Sequence, residues 1–218
     1  MAKNLVVFGG TFDPVHHGHL IVARSIAEHC GFDCVTFVPA GTPPHKAPAA
    51  ARAEQRLAML ELAVEGEPRL AVCDIELGRP GPNYTFETLT ALRERIGGDV
   101  GLHLAVGADM LADLPNWRRA GDVVRMARVL VAHRPSWPER MDEVFRRFRE
   151  AFGPEAADRL AESVIPVPLI GISSTEVRQR VAAGRSIRFL VPEPVRRYIS
   201  ENRLYAPGSV RASGASSS

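Results

Sequence analysis

Short apolar runs that stop at glycine or proline alternate, along most of this chain, with stretches of helical period. Leu5–Phe8 runs into Gly9-Gly10, Val35–Val38 is stopped by Pro39, and Leu102–Val106 runs into Gly107. A run that is apolar at every position suits a strand covered on both faces, and helices supply the cover. Strands alternating with helices at this spacing predict an α/β fold, an open, mostly parallel sheet flanked by helices. Strands are expected at 5–8, 35–38, 70–75, 102–106, 129–132 and 163–167, and helices at 18–30, 52–64, 85–96 and 139–152. Near Ser173 the pattern changes. Ser173-Ser174-Thr175-Glu176 is an N-cap signal, Gly184 suits that helix's end, and 192–202 reads as another short helix. The expectation is one domain over 1–206, with a small helical C-terminal lobe at about 173–205 and a disordered Gly/Ser/Ala tail at 207–218.

Composition narrows the function classes. The chain has 218 residues, 45% of them hydrophobic and 24% charged, enough to bury a core without staples. A net charge of +2, with no basic stripe interleaved with aromatics, predicts neither nucleic acid nor membrane as a partner. No apolar run approaches the roughly 20 residues that span a bilayer, and Met1–Asn4 leads straight into a strand, so a cytoplasmic location is expected. Cys30, Cys34 and Cys73 form no CxxC pair and read as reduced, mostly buried thiols.

The stretch richest in chemistry is Gly9-Gly10-Thr11-Phe12-Asp13-Pro14-Val15-His16-His17-Gly18-His19-Leu20, which follows the first strand and opens the first helix. In open parallel sheets, ligands bind at the carboxyl ends of strands, beside helix N-termini whose free N–H groups suit phosphate. Gly9 and Gly10 let backbone approach a ligand, and Gly18 leaves room between two imidazoles. His16 and His19, three apart, share one face of the helix start, where both can donate to phosphate oxygens. Zinc ligation by the same pair is an alternative, although no third ligand follows at a usual spacing. There is no G-x-x-x-x-G-K-[ST] loop and no G-x-G-x-x-G after a strand.

Further candidates fall at later strand and helix ends. His45 and Lys46 sit in the loop Ala40-Gly41-Thr42-Pro43-Pro44-His45-Lys46, Lys46 being one of only two lysines in the chain. A mobile cation there suits phosphate as a point charge. Thr85, in Asn83-Tyr84-Thr85-Phe86, either caps a helix or meets a ligand. Gly107 and Asp109 follow the fourth strand, where Asp109 suits a ribose hydroxyl or a helix cap. Trp117, in Leu114-Pro115-Asn116-Trp117, can stack on a flat ring. Arg134 ends the fifth strand. Ile172-Ser173-Ser174-Thr175-Glu176-Val177-Arg178 is a second phosphate-style helix start, with Arg178 about a turn on.

Gly-x-Phe-Asp-Pro-x-His-x-Gly-His resembles the signature of the nucleotidyltransferase superfamily. GGTFDPVHHGHL, PAGTPPHK, NYTFETL, VGADML, LPNW and ISSTEVR, in that order, resemble the bacterial nicotinate-nucleotide adenylyltransferases over about residues 4–206. The resemblance implies a Rossmann-like fold and transfer of AMP from ATP to nicotinate mononucleotide, giving nicotinate adenine dinucleotide and pyrophosphate in NAD biosynthesis. It implies that His16 and His19 are catalytic, and that Gly9, Gly10, Thr11, Phe12, Gly107, Asp109, Ile172, Ser173, Ser174 and Arg178 join them in binding ATP. His45, Lys46, Thr85, Trp117 and Arg134 are then the acceptor-binding residues. Magnesium is expected to arrive on ATP, with no protein ligand named. Rival readings are transfer to nicotinamide mononucleotide or phosphopantetheine, or a non-catalytic nucleotide sensor. A homodimer is an option the sequence leaves open, and His17, at the variable position of the motif, is assigned no role.

Overall fold

The computed structural model describes residues 3–42, 49–79, 81–133 and 138–207. Among the described residues six strands form one sheet: β1 (Asn4–Gly10), β2 (Val35–Pro39), β3 (Leu70–Val72), β4 (Gly101–Gly107), β5 (Arg128–His133) and β6 (Val164–Pro166). Every pairing is parallel, in the order β3-β2-β1-β4-β5-β6. The sheet therefore grows outward from β1 and β4, with the topological switch between them.

Alternate strand residues enter two cores. Val6, Val35, Phe37, Ala105 and Leu130 face one, covered by α1 (His17–Cys30) and α2 (Ala53–Val64). Val7, Val38, Leu104, Val106 and Val131 face the other. That side is covered by α3 (Thr85–Ile96), α4 (Ala108–Asp113), α5 (Ala120–Met126), α6 (Pro138–Phe152) and α7 (Pro154–Ala161). The segment after β6 returns to the first face. There α8 (Ser174–Ala182) and α9 (Glu193–Glu201) add Val177, Val195 and Ile199, followed by Leu204 and Tyr205. Because α1 leaves β1 on one face and α4 leaves β4 on the other, a crevice opens at their carboxyl ends.

Several expectations change in detail. The third strand stops at Val72 rather than residue 75, because its pairing with β2 runs only from Leu70 to Val72 and Leu77 N–H then turns back to Asp74 O at 2.8 Å. Pro39 does not stop β2 but extends it. Ala40 N–H carries the ladder on to Gly10 O at 2.8 Å, and the donor that proline lacks faces the side where β3 has ended. Two short helices, α5 and α7, were not expected. The second is signalled by Gly153, at φ 87°, and Pro154 in its first turn. Cys30, Cys34 and Cys73 are free and half-buried rather than mostly buried. Among the described residues no helix is long and apolar enough to cross a membrane. The expected tail, apart from Pro207, lies outside the described residues.

Phe37 marks the centre of the first core. It is wholly buried, 5.5 Å from the Phe8 ring and 5.3 Å from the Phe12 ring. Phe37→Ala is expected to cost about 3–5 kcal/mol, through lost transfer energy and the cavity left behind. Urea unfolding checks this, and a loss below about 1 kcal/mol would show that the cluster collapses freely around the gap.

Candidate active site

The loop from β1 to α1 is held from several directions, and each tie fixes part of the histidine pair. Phe12 adopts a left-handed backbone, φ 50°, which turns its ring inward to 3% exposure. The ring then lies over Gly10, where a Cβ would come within 2.7 Å of it. With the ring turned inward, only the backbone of Phe12 is left on the side of the expected ATP site. The ring belongs to the core and stands edge-on to His19, at 5.0 Å and 80°.

His16 is the N-cap of α1, with extended backbone (φ −145°, ψ 167°). Its ring stacks on His19 at 3.7 Å and 24°. His16 N–H donates to His19 Nδ1 at 3.2 Å. With Nδ1 accepting, the proton of a neutral His19 ring is assigned to Nε2, so that edge presents a donor. His16 is 6% exposed and His19 half-buried, so His19 offers the larger surface to a ligand. Gly18 makes the stack possible, because a Cβ there would lie 3.0 Å from His16 Nδ1 and Cε1. Two rings stacked face to face do not aim their nitrogens at one ion. No group of three His, Cys, Asp or Glu residues gathers for a metal among the described residues.

The second predicted phosphate segment meets this loop directly. Ser174 Oγ donates to Pro14 O at 2.8 Å, and Arg178 Nη1 donates to Asp13 O at 2.7 Å, across 160 and 165 residues. The N-termini of α1 and α8 are thus joined. Ser173 Oγ accepts from Glu176 N–H at 3.1 Å, so its hydroxyl caps α8. Both serine side chains are engaged within the protein, and so is the half-buried Arg178, which also donates from Nη2 to Thr175 Oγ1 at 3.3 Å, so the α8 start offers its first backbone N–H groups beside an already anchored guanidinium. Ile172 packs against the first core.

Gly9 and Gly10 close β1, and Gly107 closes the neighbouring β4. Asp109 is exposed in the first turn of α4, its carboxylate folded over Gly107 so that a Cβ on that glycine would come 2.7 Å from Oδ1. Thr85 is the first residue of α3 but does not cap it. Tyr84 holds the N-cap position and makes no side-chain cap bond. Trp117 is half-buried against the second core. Its neighbours bring it to the α3 start, with Arg118 4.7 Å from the Tyr84 ring and Arg119 3.8 Å from the Phe86 ring. Thr42 ties that same start to the end of β2, its N–H donating to Asn83 Oδ1 at 2.8 Å and its O accepting from Asn83 N–H at 2.9 Å. His45, Lys46 and Arg134 lie outside the described residues.

Residues that the sequence did not single out build the frame. Arg56, 1% exposed, donates from Nη1 to Thr11 O at 2.8 Å and from Nη2 to Ala40 O at 2.6 Å and Gly41 O at 3.3 Å. Burial pushes its pKa down, opposed by nearby Asp13, Tyr205, Glu54 and Glu76. Glu76 accepts from Thr88 Oγ1 at 2.7 Å and Gly41 N–H at 3.3 Å, and burial pushes its pKa up against those bonds. An Arg in the first turn of a helix looks in sequence like a solvated charge, and only its position between two strand ends shows otherwise.

A profile of the cytidylyltransferase-like family matches residues 7–180. A protein of Thermomicrobium roseum named a probable nicotinate-nucleotide adenylyltransferase is 44% identical over 208 residues, covering 93% of this chain and 92% of its own. One of Geobacillus thermodenitrificans with the same name is 40% identical over 200 residues, covering 91% and 84%. The structure of Plasmodium falciparum nicotinic acid mononucleotide adenylyltransferase complexed with NaAD superposes with a TM-score of 0.72 at 17% identity, over 93% of this chain and 97% of that one. That likeness carries the fold, and the sequence identities carry the family. The chain belongs to the cytidylyltransferase-like family and, within it, to the nicotinate-nucleotide adenylyltransferases.

Proposed function

We propose that this protein transfers the AMP moiety of ATP to nicotinate mononucleotide in NAD biosynthesis. The observation that carries the reading is the junction of two helix N-termini beside the switch point, made by Ser174 on Pro14 O and Arg178 on Asp13 O. Two such termini on one crevice present free N–H groups and partial positive charge from two sides, which suits a polyphosphate.

In the reaction a phosphate oxygen of the mononucleotide attacks the α-phosphorus of ATP. The bond from that phosphorus to the bridging oxygen breaks, and pyrophosphate leaves with the electron pair. The attacking group is already an anion, so no side chain need serve as nucleophile. Catalysis then consists of positioning and of stabilising negative charge. In this reading His19 Nε2–H donates to phosphate oxygens in the transition state, and His16 holds that ring in register from its stacked position. The start of α8 and Arg178 hold the ATP phosphates. Gly9, Gly10 and the Thr11 backbone line the triphosphate side, and Gly107 and Asp109 meet the adenosine. Thr85 and Trp117 frame the nicotinate, while His45, Lys46 and Arg134 steer the acceptor phosphate. Magnesium enters as part of the ATP substrate, held by phosphates and water.

Three measurements test this reading. Pyrophosphate release from ATP with nicotinate mononucleotide, nicotinamide mononucleotide and phosphopantetheine at equal concentrations is expected to be fastest with the first. Equal or greater turnover with another acceptor overturns the substrate assignment. His19→Ala is expected to lower kcat by about 100-fold or more while changing ATP affinity little, and a drop under ~10-fold removes the transition-state role. Gly18→Ala sets a methyl against the His16 ring and is expected to lower kcat by roughly 10-fold, a typical cost of misplacing a reacting geometry. Unchanged turnover in that variant would show that the stack is not needed.

A further inference from the structure

Asp13 lies three residues before His16 and is 4% exposed, and its carboxylate has no part in the chemistry just described. Its Oδ2 accepts from Ala50 N–H at 2.7 Å. Its Oδ1 accepts from Ala51 N–H at 3.1 Å and from the Tyr205 hydroxyl at 2.7 Å. Accepting three bonds and donating none is the pattern of a carboxylate. Tyr205 is itself buried. Burial, followed by the neighbouring Asp13 charge, drives its pKa far up, so the phenol keeps the proton it donates.

These bonds begin a continuous chain across the site. Ala50 and Ala51 lead into α2, and α2 carries Arg56. Arg56 holds the Ala40 and Gly41 carbonyls at the end of β2. Thr42 then pairs with Asn83 at the start of α3, beside Thr85. The histidine loop has further ties: Arg56 to Thr11 O, Ser174 to Pro14 O, Arg178 to Asp13 O, and His17 N–H to Leu190 O at 3.0 Å. None of these hydrogen bonds ends on the Asp13 carboxylate, although Arg178 Nη1 also lies 4.0 Å from its Oδ2. The geometry points to Asp13 as a positioning residue, with Tyr205 as its clamp, that sets the acceptor side of the site from the loop carrying the histidines. This assignment rests on the adenylyltransferase reading above.

The test compares the intact wild-type chain with Asp13→Asn and Tyr205→Phe. An asparagine offers one acceptor oxygen, so its NH2 must face one of the three donors, whichever way the amide lies. Phenylalanine keeps the Tyr205 ring and removes only the hydroxyl, so a folded variant is available should Asp13→Asn fail to fold. KM for nicotinate mononucleotide is expected to rise about 10-fold in Asp13→Asn and roughly 3-fold in Tyr205→Phe, with KM for ATP within ~2-fold of wild type. A role confined to stability would lower the melting temperature and the active fraction while leaving both KM values alone, and that result overturns the assignment, as does an equal rise in both. Hydrogen exchange at the Ala50 and Ala51 amides gives a readout that needs no substrate. It should quicken about 10-fold in Asp13→Asn, or in Tyr205→Phe if that alone folds, and unchanged exchange overturns the assignment. Wild-type protein that releases no pyrophosphate sinks the adenylyltransferase reading, and the exchange result then still decides whether Asp13 holds these amides.

Discussion

Where a parallel sheet ends, its last carbonyls lose their ladder partners, and here one buried guanidinium takes up three of them. Arg56 reaches Thr11 O beyond β1 and Ala40 O and Gly41 O beyond β2. A flat fork of fixed donors suits this task, and a lysine offers no such geometry. The same contacts that satisfy buried acceptors also hold the loops after β1 and β2 at a set separation. The histidine pair, the start of α8 and the start of α3 are all placed relative to loops that this residue holds.

The sheet and the histidine string were legible because their signals are local. Apolar runs ending at Gly9-Gly10 and Gly107, followed by helical periods, announce strands that end at a ligand edge. The meeting of Ser173–Arg178 with the first loop could be anticipated only from resemblance, since its bonds span 160 and 165 residues. The inward turn of the Phe12 ring was not legible, for a physical reason. A residue inside a ligand-binding string is taken to face the ligand, and nothing in the letters reveals the φ of 50° that turns its ring into the core. Of the two readings open for Thr85, the cap misses by a single residue, a shift that hydroxyl preference alone does not resolve.

Asp13, Arg56 and Tyr205 were not legible at all. Their bonds join positions 37, 45 and 192 apart, and each residue alone reads as an unremarkable member of a loop, a helix or a chain end. The two short helices escaped because brief elements carry little periodicity. Gly153-Pro154 nevertheless marked the start of α7, and Ala156, Ala157 and Leu160 make up its buried face. What the sequence conceals is the long-range closure of the first core, where residues from α8, α9 and the following turn pack against β1 and α1.

The clamps on the histidine loop share a trait with a consequence for how such a protein can change. Arg56, Ser174 and Arg178 all grasp main-chain oxygens, of Thr11, Pro14 and Asp13. A main-chain oxygen is present whatever side chain stands beside it. These three grips use features common to every amino acid, so the side chains of Thr11 and Pro14 can be exchanged without removing the acceptors that are held. A lineage, or a designer, can rewrite what this rim recognises while the scaffold beneath keeps its hold.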